Sequence, residues 1–210
     1  MLLIKIFPFI NLFYYIILFI NKVFSYDLVI DSNDENYPTF ADTVNNLLNN
    51  DDVQLLFNED YYKLPLFGRS KFNILNNLTF YSKNGTIFDF QQAETSTLYF
   101  SFVTGIVDKK IVFRNITFYN FDGFNTKLSA ATHFTASDKT DRFTVVFDNC
   151  IFKNNKKLSF YSHVSCTKSD QKTPQIIFNN CKFLYVFNIF NIYYNLKHIN
   201  NYLKYIFSCS

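Results

Sequence analysis

The residues able to carry chemistry in this chain gather around a recurring asparagine. Arg114 and Asp148 stand immediately before Asn115 and Asn149, and Cys150 and Cys181 stand immediately after Asn149 and Asn180. If these asparagines mark equivalent points of a repeat, Arg114 and Asp148 face one another on neighbouring strands ~5 Å apart. That pair is either a surface ion pair contributing under ~1 kcal/mol or a contact to a ligand. Tyr81 and Tyr119 are expected at one shared outward position. There they form either a platform for sugar rings or scattered exposed side chains in a chain with 15 Tyr. Cys150 and Cys181 are expected to point inward, as small apolar filler or, at ~5 Å between Cα atoms, as a disulfide.

Other chemistries find little support. No Cys-x-x-Cys or Cys/His spacing suggests zinc. Neither Asp148 nor Asp89 has a second carboxylate at an equivalent position, which glycosidic hydrolysis or calcium binding would want. No catalytic residue, metal site or cofactor is therefore assigned. A net charge of +3 is too small to point to nucleic acid, and four Cys are too few for a disulfide-dense scaffold. Three Asn-x-Thr sequons begin at Asn77, Asn84 and Asn115. Asn77 and Asn115 are bend positions of the repeat and are not expected to carry a glycan. Asn84, in an Asn-Gly turn, is the expected glycosylation site.

The elements that position these residues follow from pattern. Met1 to Ser25 reads as a secretory signal peptide, with Lys5 in the n-region, an apolar run from Ile6 to Ile20, and cleavage expected between Ser25 and Tyr26, the alternative being an uncleaved signal anchor. Leu28–Ile30 reads as a strand. Thr39 is the expected N-cap of a helix over Phe40–Leu48, with Phe40, Val44, Leu47 and Leu48 on one face. Val53–Phe57 reads as the next strand. A unit of aliphatic, large apolar, any, Asn, apolar, any, Phe then recurs around Asn77, Asn115, Asn149 and Asn180, at spacings of 38, 34 and 31 residues. Periods of that size signal a solenoid. Further β-rich runs lie between the copies, at Thr86–Phe90, Thr97–Val103, Ala131–Thr135 and Leu158–Val164. Polar turns lie at Lys83–Gly85, Asp138–Asp141 and Lys168–Lys172. The 28 Phe and scarce Gly (4) and Pro (4) match an AT-rich coding sequence, so only the position of a Phe or Asn is informative.

The four Asn-centred bends, the N-terminal strand with its helix, and the Asn84–Phe90 run resemble the right-handed parallel β-helix of the pectate-lyase-like, or pectin lyase fold, superfamily. The resemblance covers Asp27 to Phe183. It implies inward Asn side chains stacked coil on coil as a structural ladder. Members that cleave acidic polysaccharides use clustered Asp, often with calcium, and an Arg or Lys base. Hydrolytic relatives use Asp pairs near Gly-His-Gly and Arg-x-Lys. No Gly-His-Gly occurs here, the one Arg-x-Lys, Arg69-Ser70-Lys71, has none beside it, and His133 and His163 stand outside such contexts. The expected fold is all-β, a right-handed parallel β-helix over 26–183 with a short N-terminal capping helix. A β-sandwich competes, and the fixed Asn register favours the solenoid. The tail over 184–210 is expected to be either an amphipathic cap helix, with Ile192, Leu196, Ile199 and Leu203 on one face, or a truncated end. The expected function is a secreted, extracellular, non-catalytic surface for polysaccharide or cell-surface protein, with membrane contact only through the secretion signal. The alternative is a lyase or glycoside hydrolase acting on pectin-like polysaccharide, and calcium belongs to that alternative alone.

Overall fold

The computed structural model describes residues 25–64, 70–93, 98–103, 105, 108–122, 131–136, 142–156, 160–164, 175–185, 190–192 and 205–207, with backbone alone for 160–164, 190–192 and 205–207. The chain is an all-β parallel solenoid with one short helix near its start. It begins with β1 (Ser25–Ile30), a 3-10 turn (Tyr37–Thr39) and α1 (Phe40–Leu48). One circuit then repeats. Its first pass is β2 (Asp52–Phe57), β3 (Tyr61–Lys63) and β4 (Ser70–Ile74), and its second is β5 (Leu78–Asp89) and β6 (Leu98–Phe102). The third pass is β7 (Lys109–Tyr119) and β8 (Thr132–Ala136), and the fourth is β9 (Phe143–Asp148), β10 (Ile151–Lys153) and β11 (Phe160–Val164). The last is β12 (Ile176–Asn179), β13 (Lys182–Leu184) and β14 (Phe190–Ile192), followed by β15 (Tyr205–Phe207).

The strands make three faces. The first stacks β1, β2, the leading part of β5 and of β7, β9 and β12. The second stacks β3, the trailing part of β5 and of β7, β10 and β13. The third stacks β4, β6, β8, β11 and β14. Strands β5 and β7 run through the corner between the first two faces, joining them into one hydrogen-bonded network. All these pairings are parallel. Among the described residues, strand β15 alone is antiparallel, on the free edge of β12.

Strict alternation turns every second side chain inward, and phenylalanine occupies the inward places. Behind the first face, Phe57, Phe80, Phe113, Phe147 and Phe178 stack at centroid distances of 5.9, 5.0, 4.9 and 4.9 Å. Behind the second, Phe118, Phe152 and Phe183 repeat at 4.9 Å. Behind the third, Phe72, Phe100 and Phe134 repeat at 5.0 and 5.1 Å. Rings of different columns meet edge to face, as Phe113 does with Phe118 at 73°. Each buried Phe contributes about 1.5–3 kcal/mol through burial, and favourable ring pairs add about 0.5–1.5 kcal/mol.

Helix α1 takes the place of a strand beneath the third face. Phe40, Ala41, Val44 and Leu48 are buried and Leu47 is half-buried. Asn45 completes the substitution: its Nδ2 donates to Lys71 O and its Oδ1 accepts from Asn73 N, both at 2.8 Å. A single side-chain amide thus satisfies part of the open edge of β4. Asn76 Nδ2 donates to Leu48 O at the helix end (2.9 Å). Thr39 holds the N-cap position but makes no capping bond; its hydroxyl donates to Asn36 O instead (3.2 Å). Among the described residues, no helix is long and apolar enough to cross a membrane. The signal-peptide residues before Ser25, Cys166, Cys209 and the tail positions Leu196, Ile199 and Leu203 lie outside the described residues, as do the turns expected at Asp138–Asp141 and Lys168–Lys172. Ile192, expected on a helix, falls in β14.

Candidate functional site

The corner from the first face to the second is the most regular point of the coil. Asn115, Asn149 and Asn180 occupy it with φ of 57°, 53° and 51°. That left-handed conformation disfavours most side chains and tolerates Asn. Asn149 Nδ2 donates to Asn115 Oδ1 (2.8 Å), and Asn115 Nδ2 donates to Ser82 O (2.9 Å). This ladder lies on the outside of the bend: Asn115 is half-buried, and Asn149 and Asn180 are exposed. It therefore departs from the inward placement the resemblance implies.

Asn77 belongs to a different corner. Its Nδ2 donates to Asp52 Oδ2 and its Oδ1 accepts from Lys110 N, both at 2.9 Å, between the third and first faces. The register pairs Phe80 with Phe113 and Thr86 with Ile116. The counterpart of Asn115 in that coil is thus the stretch Ser82–Gly85, where Gly85 takes the positive φ of 95°. Asn84 is exposed on this wider bend.

One step past the bend the side chains turn inward, in the column Thr86, Ile116, Cys150 and Cys181. Cys150 and Cys181 are free thiols. Cys150 Sγ lies 3.4 Å from Phe113 O, and Cys181 Sγ lies 3.4 Å from Phe147 O. Burial pushes the Cys150 thiol up, while the hydrogen bond from Cys150 holds Cys181 below the ordinary thiol value. Thr86 is 3% exposed, and its Oγ1 has no hydrogen-bond partner. An orphan buried hydroxyl costs about 1–3 kcal/mol.

Arg114 and Asp148 face one another on the first face, with Arg114 Nε 3.2 Å from Asp148 Oδ2 and side chains 54% and 32% exposed. Solvent screening leaves such a pair little energy. Tyr81 lies opposite Arg114, whereas Tyr119 lies opposite Asp89 on the second face. Tyr81 and Tyr119 therefore share no column. The expected position was misassigned because the four-residue bend in β5 displaces the first copy of the repeat by one corner.

The second face carries the arrangement with most chemical content. Tyr61, Asp89 and Tyr119 lie on three successive coils. The Tyr61 hydroxyl donates to Asp89 Oδ2 in a short contact. Asp89 is 7% exposed, and its other oxygen accepts from Gln91 N (2.7 Å) and Asn120 Nδ2 (3.2 Å). Three donors thus hydrogen-bond a carboxylate set between two tyrosines. The hydrogen bond to Asp89, with burial second, pushes Tyr61 up to about 12. A shallow depression of about 450 Å³ opens here, lined by Tyr61, Ile87, Thr117, Tyr119, Ile151, Lys153 and Leu184. A second of about 510 Å³ adjoins it at the bend and shares Ile87, Thr117 and Ile151. Asp60, Lys83, Asn84, Asn115 and Asn149 form its polar side.

Sequence reasoning missed Tyr61 and Asp89 as partners, because their proximity depends on coil register. It also missed a second left-handed column at the exit of this face, Asn120, Asn154 and Tyr185, with φ of 64°, 54° and 53°. The recurring Phe-x-Asn at Phe118–Asn120 and Phe152–Asn154 was its signal. His133 packs against Tyr99 on the third face, with ring centroids 4.6 Å apart and the planes tilted by 47°, and the side chain of His163 lies outside the described residues. Among the described residues, no group of three or more His, Cys, Asp or Glu is placed to hold a metal ion. No protein-family model, curated protein or solved structure matches this chain.

Proposed function

We propose that the chain is an exported, extracellular β-solenoid of the pectate-lyase-like superfamily whose second face holds an acidic polysaccharide without cleaving it. The observation that carries this reading is the depression flanked by Tyr61 and Tyr119. These tyrosines stand on strands two coil steps apart, ~10 Å, and two residues out of register, a diagonal span of about two sugar residues. Aromatic faces take the apolar side of a sugar ring, and the Thr and Asn groups along the bend offer donors and acceptors to its hydroxyls. Lys153 and Lys83 line the two depressions, while Asp89 is already occupied by three donors. The lysines therefore favour a carboxylated or sulfated chain over a neutral one. The Arg114–Asp148 pair lies on another face and has no part in this reading.

The test is retention of the protein on immobilised polygalacturonate against a neutral glucan, with salt titration. Tyr61→Ala and Tyr119→Ala are each expected to weaken retention about ten-fold, or about 1.4 kcal/mol, while Tyr61→Phe retains the ring and most of the binding. Unchanged retention of the double Ala variant ends the reading. New reducing or unsaturated sugar ends in the incubation would replace it with the lyase or hydrolase alternative.

A further inference from the structure

The three Asn-x-Thr sequons meet different fates in the fold. At Asn77 and Asn115 both amide atoms are used between coils: Asn77 bonds Asp52 and Lys110, and Asn115 bonds Ser82 and Asn149. A sugar on Nδ2 would displace the bond to Asp52 or to Ser82 and stand against the preceding coil. Asn84 differs. It is exposed, it sits on the widest form of the bend, and its side chain makes no hydrogen bond among the described residues. The following Gly85, at φ of 95°, has no heavy atom closer than 3.9 Å to a built Cβ, so the bend has room.

The second observation is Thr86. Its neighbours in the inward column are Ile116, Cys150 and Cys181, and its hydroxyl is buried with no partner. Valine would fill the same volume without burying that oxygen. The folded protein gains nothing from this hydroxyl. Glycan transfer does, because the sequon hydroxyl two residues after Asn is read while the chain is still unfolded.

We propose that Asn84 carries an N-linked glycan and that Thr86 keeps its buried hydroxyl for that transfer. The Asn84 Nδ2 attacks the anomeric carbon of a lipid-linked oligosaccharide. A carbon–nitrogen bond forms, the bond from that carbon to the lipid pyrophosphate oxygen breaks, one Nδ2 proton is lost, and the lipid pyrophosphate leaves. The inference rests on the export reading above. It also places a glycan at the rim of the bend depression, which Asn84 lines, bounding the sugar-binding face on that side.

The experiment expresses the full chain in a eukaryotic secretory host, as wild type, Asn84→Gln, Thr86→Ser and Thr86→Val. The readouts are the N-terminus of the secreted protein, glycopeptide mass spectrometry and the melting temperature after enzymatic deglycosylation. The expected result is one glycan, on Asn84, kept in Thr86→Ser and lost in Asn84→Gln and Thr86→Val. Deglycosylated Thr86→Val is expected to melt about 2–4 °C above deglycosylated wild type. Secreted protein beginning at Tyr26 with a bare Asn84 overturns the inference and leaves export standing. An unprocessed cytosolic chain overturns both. A glycan on Asn77 or Asn115 of folded, secreted protein also overturns it. If Thr86→Val does not fold, the contrast between Asn84→Gln and Thr86→Ser decides.

Discussion

Tyr61 combines exposure with an unusual proton affinity. Its hydroxyl donates to Asp89, and this raises its ionisation from 10.0 to about 12. A group whose folded value is raised contributes stability that is fully present below its unfolded value and lost as pH climbs through the folded one. The stability that the Tyr61–Asp89 contact contributes is therefore expected to be full below pH 10 and to fall away between pH 10 and about 12, where Tyr61 itself ionises. The difference in alkaline ultraviolet titration between wild type and Tyr61→Phe should isolate one ionisation centred near the upper value. A missing component centred near pH 10 would show that the bond is not made. Such a contact was not legible in the sequence, since Tyr61 and Asp89 lie 28 residues apart and meet only through the coil register. The facing of Arg114 and Asp148 was legible, because both stand one place before a bend asparagine.

At the scale of the element, strand identity and bend position followed from pattern, and one copy of the pattern was misplaced. The later bends each use one left-handed Asn, so their Phe and Asn keep one register. In β5 the bend is four residues long and places Gly85 in the left-handed position. Nothing in a one-residue consensus anticipates that insertion, so Asn77 was read as a bend residue although it turns the preceding corner. The helix was legible by its apolar spacing over Phe40–Leu48. The use of Asn45 as a surrogate strand edge was not, since a polar residue on a helix gives no such signal. The bends also allow a clean measurement. Asn149→Gly loses the amide bond to Asn115 but keeps the backbone conformation, whereas Asn149→Ala loses the bond and adds left-handed strain of about 1–2 kcal/mol. Urea unfolding should rank wild type above Gly and Gly above Ala, with the last gap about 1 kcal/mol. An Ala variant as stable as Gly would remove strain from the account of why Asn stands there.

For the whole molecule, the repeat was the signal that carried furthest. Asn recurring at solenoid-sized intervals pointed to stacked coils, and the parallel three-faced solenoid has the same logic. The first interval joins two different corners, and the later two vary because the other two corners differ in length, while every strand stays in register with its neighbours. Chain runs around the axis, and the rings and amides bond along it. Stability in such an array is close to a sum of coil terms and neighbour terms. The columns of like rings then make size a matter of counting. Arg114 and Asp148 occupy the same place on consecutive coils, 34 residues apart. Excising Arg114–Phe147 joins Phe113 to Asp148 and puts Asn149 within reach of Ser82 O, where Asn115 now bonds. That shorter chain should fold to the same circular dichroism and elute as a smaller compact monomer. Excising Arg114–Val146 instead leaves Phe147 as one residue too many beside Phe113 and sets the inward–outward alternation out of step across the join, so it should be markedly less stable. Equal failure of both would mean that the coils are not interchangeable units. If the first keeps its stability and the second does not, the molecule behaves like a stack of coins, able to gain or lose a whole member but never a fraction of one.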